Sequence, residues 1–331
     1  MQSGGWRFQS KRGQPPVVSV AAFTLPSFAK INWRLRVLGR RGDGYHELRT
    51  IFQTVTLRDH LTFAPRDDDR LHLTSDSPEI PLDESNLVLR AADALRDARG
   101  LRRGASIHLE KVIPVEAGLG GGSSNAAVTL LGLARLWGLE TGLEELSSIG
   151  TKLGADVPFF FTGGTALGTG LGTEITPLGD VVAEHLLIVK PEAKVSTAEA
   201  YKALNSPALT KAGGDANLSI SRADEQFTDS HPIALHNDFE PVVFPLKPEI
   251  ERARDALLNA GARSALLAGS GSSVFGVFDK RETRERAHLA LKGDGRWHIF
   301  PCATLARGQY LAALGAAAAP LLRESPPRPR G

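Results

Sequence analysis

The chain has 331 residues, enough for two domains, and at 42% hydrophobic and 23% charged it has the composition of a soluble globular protein. Its single cysteine, Cys302, excludes an internal disulfide and a cysteine-based zinc site, and no apolar run approaches the roughly 20 residues that span a bilayer. The net charge of +2 comes from the ends (Arg7, Lys11 and Arg12 before residue 23; Arg323, Arg328 and Arg330 against Glu324 after residue 320), leaving 33 basic and 36 acidic residues between them and no electrostatic case for nucleic-acid binding.

Residues 1–22 read as a disordered leader. Basic residues followed by the apolar Val17–Leu25 have the look of a short secretory segment, yet cleavage there would cut into the first strand, so a cytoplasmic setting is expected. Phe28–Leu38 alternates as a strand with Lys30 and Asn32 on one face, and Gly39–Gly44 is a turn. Ile51–Leu57, Asp59–Phe63 and Leu71–Thr74 predict three strands, and Asn86–Ala98 a helix capped by Ser85. A strand around Ile107–Lys111 leads into a glycine loop, and the apolar Ala126–Trp137 predicts a buried helix capped by Ser124 or Asn125. Leu143–Leu153 is a helix closed by Gly154, and Thr162–Leu178 a strand or hairpin.

A second region starts near His185, with a strand at Leu186–Val189 and a helix at Ser196–Leu204. Residues 206–231 read as a polar excursion. Helices are predicted at Pro248–Ala260 and Arg281–Leu291, a second glycine–serine loop at Ala268–Ser273, and a late strand at Trp297–Leu305. The fold class is α+β. The expected division is a leader at 1–22, a first domain at 23–182, a second at 183–311, and a largely disordered tail at 312–331.

The most informative stretch is Pro114-Val115-Glu116-Ala117-Gly118-Leu119-Gly120-Gly121-Gly122-Ser123-Ser124-Asn125. Glycine lets a backbone approach a ligand closely, and the following helix N-terminus offers unpaired N–H groups and partial positive charge. The loop is therefore read as a phosphate cradle. It is not a P-loop, since Gly-Lys occurs nowhere in the chain, and it fails the dinucleotide fingerprint, having Ser123 or Asn125 where a third glycine or alanine is needed. Four glycines cost much backbone entropy, which makes sense only if something occupies the loop.

Three further places compete for chemistry. Lys30 is either a solvated edge lysine or a functional cation. Asp156, abutting the apolar Val157–Phe161, is either a helix cap or a group held for reaction. Tyr45 and His46 could stack on a flat ligand, or simply belong to a hairpin tip.

Taken in order, Ala29-Lys30-Ile31-Asn32, the Gly118–Ser124 loop and the late Gly269-Ser270-Gly271 resemble the GHMP small-molecule kinases. Asp43-Gly44-Tyr45-His46, Gly154-Ala155-Asp156 and Asn237-Asp238-Phe239-Glu240 make the chain similar to the branch that phosphorylates the tertiary hydroxyl of a cytidine diphosphate methylerythritol in non-mevalonate isoprenoid synthesis. The resemblance spans about residues 24–310. It implies a ribosomal S5-like first domain with a left-handed βαβ crossover, and a ferredoxin-like second domain. It implies Lys30 and Asp156 as the catalytic pair, and ATP on Pro114–Ser124 with Asn86 and Lys111 near the nucleotide. The cytidine substrate would meet Asn32, Tyr45, His46, Thr197 and Tyr201, the last standing where the family often has phenylalanine. Mg²⁺ would accompany ATP, touched by Ser123 or Ser124, with no residue assigned as a dedicated metal ligand. The alternatives are a sister kinase acting on homoserine, mevalonate or a sugar, and a non-catalytic S5-like binding module.

Overall fold

The structure, a computed structural model, describes residues 21–204, 235–293 and 295–322. The predicted leader up to residue 20 and the 206–231 excursion lie outside the described residues.

Two sheets form the interior. In the first, β1 (Phe23–Arg40) and β2 (His46–Pro65) make a long antiparallel hairpin. The far edge of β2 is shared by β4 (Ala105–Glu110) and the β5 (Thr165–Thr169)–β6 (Glu174–Pro177) hairpin. β3 (Leu71–Ser75) pairs parallel with β4, and the short β8 (His236–Asn237) pairs parallel with the other side of β1 at Arg34 and Leu35. The second sheet has the order β11-β7-β10-β9, all neighbours antiparallel. These strands are β7 (Leu186–Pro191), β9 (Ser264–Leu267), β10 (Val274–Val277) and β11 (Trp297–Cys302). With helices at Pro248–Asn259 and Arg281–Lys292 as its crossovers, the second sheet has the βαββαβ ferredoxin-like plan.

Period-two alternation decides how the sheets stack. Ala29, Ile31 and Trp33 of β1 and Ile51 and Val55 of β2 meet Leu186, Ile188, Leu266 and Phe275 of the second sheet in one core. The alternate residues Leu187 and Val189 turn to the other face, under Ile250, Ala253, Leu257 and Ala287 of the two crossover helices. On the outer face of the first sheet lie α1 (Leu87–Arg99), α2 (Gly121–Leu136) and α3 (Leu143–Leu153), packed on Phe52, Leu61 and Phe63. Sending Ile31 and Trp33 inward leaves Lys30 and Asn32 on the opposite face. β1 changes register between Phe28 and Lys30 and again between Asn32 and Arg34, bulges of the kind that re-aim side chains beside active sites.

Several sequence expectations need correction. β2 is one continuous strand across the boundary expected at Arg58, and the buried Asp59 just beyond it is fully hydrogen-bonded in place. α1 is capped by Asn86, whose Oδ1 accepts from Val88 N–H, while Ser85 bonds to Asp83. α2 starts at Gly121, so Ser124 and Asn125 lie inside it and its N-cap is Gly120, with no side-chain cap bond. Residues 312–322, expected in a disordered tail, continue the helix Arg307–Leu314 into a 3₁₀ turn and the helix Ala319–Leu322. Tyr310, Leu314, Ala317 and Ala318 there join the core under α2. The helix Glu240–Leu246 was also unforeseen, because Pro241 and Pro245 mask it; Pro241 sits in the first turn, where its missing N–H costs nothing.

Candidate active site

A cavity of about 510 Å³ opens where β1, the two glycine loops, the start of α1 and the helix α4 (Thr197–Leu204) converge. Its wall is the predicted cradle. Gly118 has φ 73°, and a Cβ there would fall 2.0 Å from Ala268 O; Gly120 has φ 68°, and a Cβ there would fall 2.9 Å from Lys30 Cγ. Only glycine fits at either position. Glu116 takes φ 52°, the one non-glycine residue in the left-handed region among the described residues, which is strain typical of ligand-binding loops.

The first bond within α2 runs from Ser124 N–H to Gly120 O (2.8 Å), so the N–H groups of Gly121, Gly122 and Ser123 have no intrahelical partner. They present three donors and the positive end of a buried helix beside the cavity, as an anion site requires. The second loop braces the first: Ser273 N–H donates to Ala117 O (3.1 Å). That second loop is itself gripped by the Asn237–Glu240 run. Asn237 Nδ2 donates to Leu267 O (2.9 Å) and Gly269 O (2.7 Å), and Glu240 Oε1 accepts from Leu267 N–H (2.9 Å).

Lys30 is no edge lysine. It pairs with Thr54 of β2 on one side, is 3% exposed, and on the other side its N–H donates to Leu119 O (2.9 Å), joining β1 to the glycine loop. Its ammonium donates to Asn32 Oδ1 (2.8 Å) and stands 3.3 Å from Asp156 Oδ2. Asn32 Nδ2 in turn donates to Thr50 Oγ1 (2.7 Å), and that hydroxyl to Arg34 O, so the amide's orientation is set. Asp156 begins the 3₁₀ helix Val157–Phe161 but its side chain makes no cap bond, and the carboxylate lines the cavity. The helix-cap reading of Asp156 is thereby excluded.

Tyr201 and Phe239 form another wall, with His46 stacked behind Tyr201. The rings of His46 and Tyr201 lie 4.9 Å apart at 28°, and Tyr201 meets Phe239 edge-on at 4.9 Å. Burial, with the Asp156 charge adding to it, pushes the Tyr201 phenol above its ordinary pKa, which keeps a neutral hydroxyl at the cavity. Burial and then the Arg40 charge draw the His46 pKa below the usual histidine value. Thr197 lines the cavity with its hydroxyl 3.2 Å from that of Ser270.

Most residues singled out in the sequence converge here: Lys30, Asn32, Asn86, Lys111, Pro114 to Ser123, Asp156, Thr197 and Tyr201 all line the cavity. Others differ. Tyr45 is 63% exposed at the hairpin tip, where its N–H bonds Asp43, and it does not line the cavity. His46 is reached only through Tyr201. Ser124 is fully buried and accepts from the Ser27 hydroxyl (2.8 Å), so only Ser123 of the two serines faces the cavity. Asn86 spends its side chain on the α1 cap and on Pro81 O (2.7 Å). Sequence reasoning passed over Thr50 and gave Ser270 no role beyond its place in the second glycine loop, though both line the cavity.

Comparison with known proteins agrees with this geometry. Residues 86–164 match the family model for the GHMP kinases N terminal domain and residues 220–296 that for GHMP kinases C terminal. A 4-diphosphocytidyl-2-C-methyl-D-erythritol kinase from Chlorobium phaeobacteroides is 40% identical over 273 residues, covering 82% of this chain and 92% of that protein. The kinase of the same name from Syntrophotalea carbinolica is 42% identical over 272 residues, covering 82% and 95%. A crystal structure of a 4-(cytidine 5'-diphospho)-2C-methyl-D-erythritol kinase superposes with a TM-score of 0.69 at 34% identity, over 85% of this chain and 99% of that one. Among the described residues no helix is long and apolar enough to cross a membrane. With both domain models matched and relatives of this similarity covered almost end to end, the chain belongs to the GHMP kinases, in the 4-diphosphocytidyl-2-C-methyl-D-erythritol kinase family.

Proposed function

We propose that this protein transfers the γ-phosphoryl group of ATP to the tertiary 2-hydroxyl of 4-diphosphocytidyl-2-C-methyl-D-erythritol, a step of non-mevalonate isoprenoid precursor synthesis. The observation that carries this reading is the Lys30–Asp156 pair facing one cavity with the open N–H groups of the glycine loop. Phosphoryl transfer asks little covalent chemistry of a protein; positioning and charge stabilisation supply most of the rate.

Each residue then has a stated task. The N–H groups of Gly121, Gly122 and Ser123, with the α2 dipole, hold the ATP phosphates. Asp156 takes the proton of the attacking hydroxyl. Lys30 keeps that carboxylate ionised and offsets charge on the transferring group, while Asn32 fixes the direction of the ammonium. His46 and Tyr201 receive the cytosine ring, and Thr197 donates to the substrate; Tyr45 closes over the outer side of the ring from the hairpin tip. Asn86 and Lys111 shape the nucleotide end.

A magnesium ion carried with ATP fits this donor set. Among the described residues no cluster of three or more His, Cys, Asp or Glu side chains could hold a metal. Magnesium ordinarily keeps several waters and binds through phosphates with one or two protein oxygens, and the Ser123 hydroxyl at the cavity would supply one of them. When bound, the ion neutralises phosphate charge. The reading predicts a cytoplasmic enzyme acting on a small molecule. ADP release in the presence of the cytidine substrate, homoserine, mevalonate and a sugar tests it. Turnover confined to the cytidine compound is expected, whereas preference for another alcohol would replace the substrate while retaining the kinase.

A further inference from the structure

The glycine loop needs something to hold it, and one side chain does so from outside the cavity. Asp59, on β2, has no exposed surface, yet its carboxylate is fully satisfied. Oδ1 accepts from the N–H groups of Val112 and Ile113, each at 2.7 Å. Oδ2 accepts from Lys111 Nζ at 2.7 Å and Asn125 Nδ2 at 2.9 Å. Residues 111–113 are the path into the loop, and Asn125 follows Ser124 on the helix that leaves it. One carboxylate therefore fastens both ends.

The fastening reaches the loop's working residues. Asn125 Nδ2 also donates to Ser27 Oγ (2.9 Å), whose hydroxyl donates to Ser124 Oγ. Lys111 Nζ also donates to Ile113 O, and a Cβ on Gly121 would lie 3.2 Å from that ammonium. Lys111 is thus a strut beside the first open N–H of α2. Burial draws its ammonium pKa down, and the Asp59 charge opposes that shift. A loop with four glycines has little stiffness of its own, so donors aimed at phosphate must be held by their flanks.

We infer that Asp59 is the positioning residue of the phosphate loop: it presets the N–H groups of Gly121–Ser123 by fixing Val112–Ile113 on one side and Asn125 on the other. The inference rests on reading that loop as the ATP site. It assigns Lys111 to the loop's support, in addition to any contact with the nucleotide.

The test measures Kd for ATP by calorimetry, and KM for each substrate, in wild type, Asp59→Asn and the Asp59→Asn/Lys111→Met double variant. Loss of charge-assisted bonds of this kind predicts an ATP Kd raised about tenfold or more in Asp59→Asn, with KM for the cytidine substrate within about twofold of wild type. The double variant removes the stranded ammonium as well, and is expected to stay defective for ATP. Recovery of wild-type ATP affinity in the double variant would overturn the inference, because Asp59 would then only neutralise Lys111. Equal losses for both substrates would overturn it too. If Asp59→Asn does not fold, Asn125→Ala decides: a loss selective for ATP supports the inference and unchanged ATP affinity overturns it. Wild type that binds no ATP at all would sink the reading of the loop itself, a distinct outcome.

Discussion

Lys30 Nζ stands 3.3 Å from Asp156 Oδ2, with the lysine side chain 4% exposed and the aspartate side chain 33% exposed. Both side chains line the cavity, the lysine almost wholly covered and the aspartate a third exposed. A proton acceptor must be reachable by substrate, whereas the cation that keeps it ionised works best away from water. The asymmetry fits the proposed roles, Asp156 meeting the hydroxyl and Lys30 keeping the carboxylate ionised.

Asp156→Asn keeps the shape but removes the charge and the proton acceptor. Its side chain caps no helix, so any loss of stability comes from leaving the buried Lys30 ammonium without its counter-charge, and a thermal melt reads that loss apart from turnover. kcat is expected to fall by about 10²–10⁴-fold with KM for both substrates nearly unchanged. Lys30→Met should also lower kcat, and the double variant should lose less than the product of the single losses, because the pair acts as a unit. Steady-state kinetics on the folded variants checks this, and wild-type turnover in Asp156→Asn would remove the residue from the chemistry.

Gly120→Val places a branched side chain where a Cβ already meets Lys30 Cγ at 2.9 Å and the Phe160 ring at 3.0 Å, at a φ that valine avoids. ATP binding should be abolished and the variant destabilised by about 1–3 kcal/mol from strain and overpacking. Calorimetric titration with ATP beside a thermal melt separates the two effects. Unchanged ATP affinity in a folded variant would take the loop out of the nucleotide site.

Tyr201→Ala removes the ring between His46 and Phe239. Binding of the cytidine substrate should weaken by about 1–3 kcal/mol, the scale of a lost base–aromatic stack, with ATP affinity unaltered. Tyr45→Ala should cost less, since Tyr45 is largely exposed before substrate arrives. A larger loss at Tyr45 than at Tyr201 would place the cytosine at the hairpin tip.

His46 supplies a pH signature. Its pKa in the folded protein lies below the ordinary histidine value, first through burial and then through Arg40. The unfolded chain therefore takes up a proton more readily than the folded one. The stacking arrangement is fully present above about pH 6.5 and is lost as pH falls through the depressed folded value. KM for the cytidine substrate should rise on acidification through that range while KM for ATP stays level. In His46→Phe this step should disappear; its persistence would assign the titration to another group.

Much of this site could be read from the residues alone, and the reasons are local. Period-two alternation sets Lys30 and Asn32 on one face, and the glycines of Gly118–Ser123 make sense only near a ligand, but the roles of Lys30, Asn32 and Asp156 came from the family resemblance alone. What could not be read depends on partners distant in sequence. Asp59 reads only as the first residue of a strand, and what it holds becomes visible once Val112, Ile113, Lys111 and Asn125 arrive to satisfy it. The early start of α2 was hidden because its cap is a glycine with no side chain to signal it. Residues 312–322 carry mainly alanines with no amphipathic period; Leu314, Ala317 and Ala318 are buried only because α2 offers them a surface.

The most direct test of the central claim is ³¹P NMR of a reaction containing the protein, magnesium, ATP and 4-diphosphocytidyl-2-C-methyl-D-erythritol. The account predicts one new phosphomonoester resonance on the tertiary carbon of the methylerythritol, growing in step with ADP. Phosphate attached at another hydroxyl, or ADP appearing only with inorganic phosphate, would contradict it.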